Sequence, residues 1–247
     1  PQRWPAPMQR GESPWFDKRG TGNSGGDYPS TGFDTEYDDI ASALEHLSTV
    51  DHVDPQRIGL IGHSVGATMA IRLAASEPAI AAAVLLAGAS SPGERVLEWQ
   101  SDRIGQTLPG PNWLTGRLFR AVQRRSHAKL IDPTTDSITA SGVPMSGRWF
   151  REYSAYDPTD DLGRITCPVF AITGGKDLQV NPAELAVIAS LVNGPCRTQS
   201  PADLTHVLRS TTGPPRISHY PKLLDQPVDP RLLASIGDWL TAVLEPT

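Results

Sequence analysis

The sequence predicts an α/β fold: a mostly parallel sheet with helices on both faces. Three observations point there. Short, predominantly apolar runs stand at residues 57–62, 82–88 and 168–173, the pattern of strands buried on both sides. Each run ends at a glycine: Gly62, Gly88 and Gly174-Gly175. Helix-prone segments follow each of them, and strands alternating with helices imply parallel pairing through crossovers.

The elements follow in order. Pro1, Pro5, Pro7 and Pro14 break the first fifteen residues, which show no period and read as an irregular lead-in. Residues 16–26 form a turn-rich, glycine-rich loop. Residues 34–50 read as an amphipathic helix. Asp34, Glu36, Asp38 and Asp39 crowd its first turns, where the helix dipole favours anions, and Ile40, Leu44 and Leu47 make its apolar stripe. Asp54-Pro55 turns the chain into the strand at 57–62, and the Ala-rich segment 67–75 is the next helix. After the strand at 82–88, residues 92–157 change character. They hold Trp99, Trp113, Trp149 and many arginines, and show helical periods without strands. Leu114, Leu118 and Val122 mark one face there, Arg117, Arg120 and Arg124 another. This segment is expected to be a helical insertion between core segments 16–91 and 158–247. A strand at 168–173, a helix near 182–192, a weak strand near 196–200 and a helix from about 229 to 244 complete the chain. The last helix carries Leu232, Leu233, Ile236, Trp239, Leu240 and Val243 at helical spacing. No internal repeat occurs.

At 247 residues the chain suits one large domain or two small ones. Its net charge of −5 and pI near 5.7 argue against nucleic-acid binding. No run approaches the roughly 18 apolar residues of a membrane span, and the N-terminal residues lack a signal-type apolar core, so a cytoplasmic location is expected. Cys167 and Cys196 form no metal motif and read as two reduced thiols.

The chemistry concentrates at Gly62-His63-Ser64-Val65-Gly66, between a strand and a helix. Gly-x-Ser-x-Gly in that context is a nucleophile elbow. The turn is tight enough to strain the Ser64 backbone, and the glycines are expected to avoid collisions with the adjoining strand and helix. The bend lifts the Ser64 hydroxyl to a helix N-terminus, where the Val65 N–H can receive an oxyanion. A serine needs a base, and the base an orienting acid. Asp177 follows the strand 168–173, and His206 follows the weak strand. Functional groups of parallel sheets gather at those C-terminal strand ends, and the order Ser64, Asp177, His206 is that of the elbow architecture. His63 should point away from the hydroxyl. His46, His52, His127 and His219 read as structural or solvated.

With these residues in view, the chain resembles α/β-hydrolases of the serine esterase and serine aminopeptidase-like group. The resemblance is carried by Asp17-Lys18-Arg19-Gly20-Thr21-Gly22-Asn23-Ser24-Gly25-Gly26, by Arg57 through Ser64, and by Cys167-Pro168-Val169 through Val180, over roughly residues 16 to 245. It implies a serine hydrolase that cleaves a small-molecule acyl ester, with a thioester or amide as alternatives, through an acyl-enzyme on Ser64, possession of a lid at residues 92–157, and no metal or organic cofactor. Around His206 the chain has Thr205-His206 where relatives often carry Asn-His. Relatives also place several strands, and a His-Gly loop giving a second oxyanion donor, before the Asp-x-Arg-Gly loop. This sequence starts too late to hold them, so an uncovered sheet edge is expected. The alternative reading is a non-catalytic protein with a shortened hydrolase fold. Oligomeric state is left open.

Other signals are weaker. Gly20-x-Gly22-x-x-Gly25 matches a dinucleotide fingerprint but lacks the flanking strand and helix, and reads better as a turn near the elbow. The acidic groups at 34–39 and 157–161 fit no calcium loop. The basic stripe of Arg117, Arg120, Arg124, Arg125 and Lys129 reads as a solvated helix face rather than a site for an anionic acyl group or lipid surface.

Overall fold

In the computed structural model the apolar runs become strands β1 (Ile58–His63), β2 (Ile80–Leu86) and β5 (Val169–Ile172), joined by β6 (Cys196–Gln199). The structure describes residues 17–108, 110, 112–132, 136–140 and 143–245; the proline-rich residues 1–15 lie outside the described part. The four strands pair in parallel in the order β1-β2-β5-β6.

Side chains alternate across this sheet. Ala83, Leu85, Val169 and Ala171 face one layer, with α2 (Val65–Ser76), α6 (Thr159–Arg164) and α7 (Glu184–Leu191) packed on it. Leu44 and Leu47 of α1 (Phe33–Ser48) join the same layer. Val84, Leu86, Phe170 and Ile172 face the other layer, where Leu232 and Ile236 of α9 (Pro230–Leu244) cover them. In β2 and β5 both faces are apolar because both are buried, which is why these strands read as continuous hydrophobic runs.

The observed elements lie within a few residues of the expected ones. The β2 strand starts two residues earlier than expected and stops at Leu86, because Ala87 has φ 50° and leaves the extended conformation. One expectation fails. Residues 92–157 are not purely helical: α3 (Gly93–Gln106), α4 (Asn112–Leu130) and α5 (Gly147–Ala155) enclose an antiparallel hairpin of β3 (Ser137–Ala140) and β4 (Val143–Ser146). Its strands have four residues each, too short for a period to register in the sequence. The short helices α6 and α8 (Tyr220–Leu224) were also not legible.

Phe33, at the start of α1, ties these parts together. It is fully buried against Met69 and Tyr153, and its ring meets Trp149 edge-on at 5.8 Å. The basic stripe lies on α4, where Arg120 approaches Asp102 at 3.5 Å and Arg117, Arg124 and Arg125 are exposed. Cys167 and Cys196 are free, and burial pushes both thiols up. At the other side of the sheet β1 is an edge strand among the described residues, and Ile61 on it is 42 % exposed.

Candidate active site

Ser64 sits between β1 and α2 with φ 55° and ψ −121°, one of three non-glycine residues with positive φ among those described. The strain is held by hydrogen bonds on both sides. Ser64 N–H donates to the Leu86 carbonyl at 2.8 Å, and its own carbonyl accepts from Ala67 N–H at 2.9 Å. Gly62 is required here: a Cβ on it would lie 2.2 Å from the Gly66 carbonyl oxygen. The expectation for Gly66 is corrected. A Cβ there would meet nothing within 4 Å among the described residues, because it points off the first turn of α2 into open space. The Val65 amide opens α2, so it is one of the N–H groups without an acceptor inside the helix.

Asp177 and His206 come together. His206 Nδ1 lies 2.9 Å and 3.1 Å from the two Asp177 carboxylate oxygens, and the residues are 4 % and 2 % exposed. Asp177 Oδ1 also accepts the amides of Gln179 at 2.7 Å and Val180 at 2.9 Å, which fixes the carboxylate at the end of β5. His206 rides on a tight turn. Thr205 N–H and Oγ1 both donate to the Arg209 carbonyl, Leu208 N–H donates to the Thr205 carbonyl, and Leu208 has φ 61°.

His63 links the elbow to this pair. Its Nε2 is 2.9 Å from the His206 carbonyl oxygen, and the two rings pack with centroids 4.9 Å apart. The residue next to Ser64 in the chain therefore touches His206, a contact the sequence did not reveal. The outer side of His63 is exposed, while loss of hydration on its packed side and the His206 imidazole hold its pKa below the ordinary histidine range.

Two further residues escaped the sequence reading. Tyr220 is buried behind the Asp177–His206 pair. Its hydroxyl approaches Gln179 and the backbone of Leu178 and His206 without a well-formed hydrogen bond, and burial, with the Asp177 carboxylate, pushes it up to about 12. Glu184, at the start of α7, accepts from Ser90 N–H at 2.9 Å and Ser91 Oγ at 2.8 Å, and also bonds Ser90 Oγ. It pins the loop after β2 beneath the cleft. Neither position lies in a motif.

The Ser64 cleft has a volume of about 170 Å³, and Val96, Trp149, Phe150 and Tyr153 form its apolar wall. It shares Val65, Trp149 and Phe150 with a larger cavity of about 430 Å³ that Lys18, Arg19 and Tyr28 border. The Asp17–Gly26 loop therefore lies near the elbow, as expected. Gly20 and Gly22 have positive φ, Asn23 N–H donates to Asp17 Oδ2 at 2.8 Å, and Lys18 and Arg19 pair with Glu36 and Asp39 of α1. This is a turn anchored on a helix rather than a phosphate cradle. Of the remaining histidines, His127 Nε2 lies 3.2 Å from Ser154 Oγ.

Comparison with known proteins fits this geometry. A family model described as serine aminopeptidase, S33, matches residues 13–206. The chain belongs to this family of α/β-hydrolases. A protein of Klebsiella pneumoniae (strain 342), provisionally named carbamate hydrolase RutD, is 24 % identical over 195 residues, covering 75 % of this chain and 71 % of the relative. The esterase Est1E of Butyrivibrio proteoclasticus, solved with ferulic acid bound, superposes with a TM-score of 0.59 at 17 % identity, over 92 % of this chain and 75 % of that one. The Pyrococcus furiosus esterase Pf2001 superposes with a TM-score of 0.56 at 20 % identity, over 93 % and 69 %. At these identities the superpositions establish the fold alone. Among the described residues no helix is long and apolar enough to cross a membrane, and no cluster of side chains could hold a metal ion.

Proposed function

We propose that this hydrolase cleaves a carboxylic ester through an acyl-enzyme on Ser64. The observation that carries the reading is the buried Asp177–His206 pair, joined through His63 to the strained turn that presents Ser64. Ser64 Oγ attacks the ester carbonyl carbon, and its proton passes to His206 Nε2. Asp177 holds the His206 Nδ1–H and stabilises the imidazolium. The Val65 N–H, at the positive end of α2, stabilises the oxyanion. The leaving alcohol departs with the His206 proton. Water, deprotonated by His206, then releases the acid and restores Ser64.

Helices α3 and α5 act as a lid in this reading, since they supply Val96, Trp149, Phe150 and Tyr153 to the cleft wall. Their apolar surface suits an acyl or aromatic group, in keeping with the ferulate held by the Est1E structure. A turnover assay with p-nitrophenyl butyrate tests the proposal. Activity is expected in the wild-type chain, with a loss on the order of 10³-fold or more in Ser64→Ala. Equal rates for the two proteins would overturn the assignment and favour a non-catalytic hydrolase fold.

A further inference from the structure

A third cavity, of about 530 Å³, is lined in part by residues that adjoin those of the Ser64 cleft along the chain. Arg103 and Gln106 at the end of α3 border it, with Leu178 and the segment Pro214-Pro215-Arg216 opposite. None of its lining residues among those described is acidic, in a chain whose net charge is −5. Neither arginine forms an ion pair among the described residues. Arg103 Nη1 donates to Gln106 Oε1 at 3.0 Å, its guanidinium lies 5.8 Å from the Trp99 ring centre, and its Nε is buried without a partner. A guanidinium that has lost water at one nitrogen and gained no counter-charge is stabilised by a nearby anion.

The segment that carries Arg216 is held in place. Lys176 Nζ donates to the Thr211 and Gly213 carbonyls, and the Arg216 carbonyl accepts from His219 N–H at 3.0 Å. Gln100 borders the Ser64 cleft, and Arg103, one turn further along α3, borders the third cavity. Gln179 and Leu178 divide in the same way. On the cleft side, next in the chain to the residues that line the third cavity, the Gln100 and Gln179 side chains meet at 3.5 Å, a long and easily opened contact.

We infer that this cavity is an anion subsite. It takes the terminal carboxylate of an acyl chain whose ester carbonyl lies at Ser64, the chain passing between Gln100 and Gln179. Arg103 and Arg216 bind the carboxylate, and Pro214, Pro215 and Leu178 cover the methylene groups. This rests on the esterase reading and adds the substrate class: half-esters of dicarboxylic acids.

The test compares p-nitrophenyl butyrate with mono-p-nitrophenyl adipate. The subsite predicts a kcat/KM at least about tenfold higher for the anionic ester. Arg103→Gln and Arg216→Gln should each erode that preference and leave butyrate turnover unchanged, which also shows that the variants fold. No preference, or one that survives both substitutions, would overturn the subsite. Calorimetric titration of Ser64→Ala with adipate separates this from failure of the esterase reading. Binding that disappears in Arg103→Gln/Arg216→Gln supports the subsite even if neither ester is turned over. Binding of inorganic phosphate but not adipate would overturn the carboxylate assignment.

Discussion

Ser64 holds a backbone conformation that costs about 1–3 kcal/mol, and hydrogen bonds to Leu86 and Ala67 maintain it. The two glycines of its motif differ in role. Gly62→Ala places a methyl group 2.2 Å from a carbonyl oxygen, so it should cost at least about 3 kcal/mol and abolish the elbow. Gly66→Ala meets open space within a helix, so it should be neutral or stabilise by up to about 1 kcal/mol. Denaturant unfolding of both variants checks this pair. The motif pointed to both positions but could not distinguish them, because the collision depends on how α2 leaves the strand. The strained turn at Ser64 and the Asp177–His206 contact were legible because the chemistry of such a turn and of an acid–imidazole pair restricts residue type and the strand ends restrict place. His63 was not legible as a partner of His206, because that contact joins residues 143 positions apart through a backbone carbonyl.

At the scale of elements, legibility followed apolar composition, whether the strand is buried, as β2 and β5 are, or half exposed, as β1 is. The β1, β2 and β5 strands, apolar on both faces of the sheet or nearly so, stood out as runs, whereas the β3–β4 hairpin carries no comparable pattern. The final helix, α9, was legible from its stripe, but its start depends on a network. Asp229 caps it by accepting the Arg231 amide at 2.8 Å, and also binds the Ser210 hydroxyl and the Arg231 guanidinium. These partners, led by Arg231, hold the Asp229 carboxyl well below the usual carboxylate range. A carboxyl pKa lowered by folding stabilises the fold above the unfolded value, about 4, and that contribution is lost as pH falls below it. Asp229→Ala should therefore cost about 1–2 kcal/mol at neutral pH. The difference from wild type should shrink as pH falls from 5 towards 3, as unfolding curves across that range would show.

Across the whole molecule, two apolar layers enclose the middle of the sheet and leave its edge strands, β1 and β6 among the described residues, less protected. The β2 and β5 strands have neighbours on both sides, whereas β1 pairs only with β2 among the described residues. Native-state hydrogen exchange should find the slowest amides in β2 and β5, with the β1 amides that do not bond β2 exchanging faster. Uniform protection across β1 and β2 would show that the edge is covered. The candidate site is built where these layers meet the C-terminal strand ends: the elbow after β1, Asp177 after β5 and His206 after β6. The most direct test of its central claim is mass spectrometry after treatment with a fluorophosphonate. The account predicts a single covalent adduct on the peptide containing Ser64, absent from Ser64→Ala. An adduct on another residue, or labelling that persists in Ser64→Ala, would contradict it.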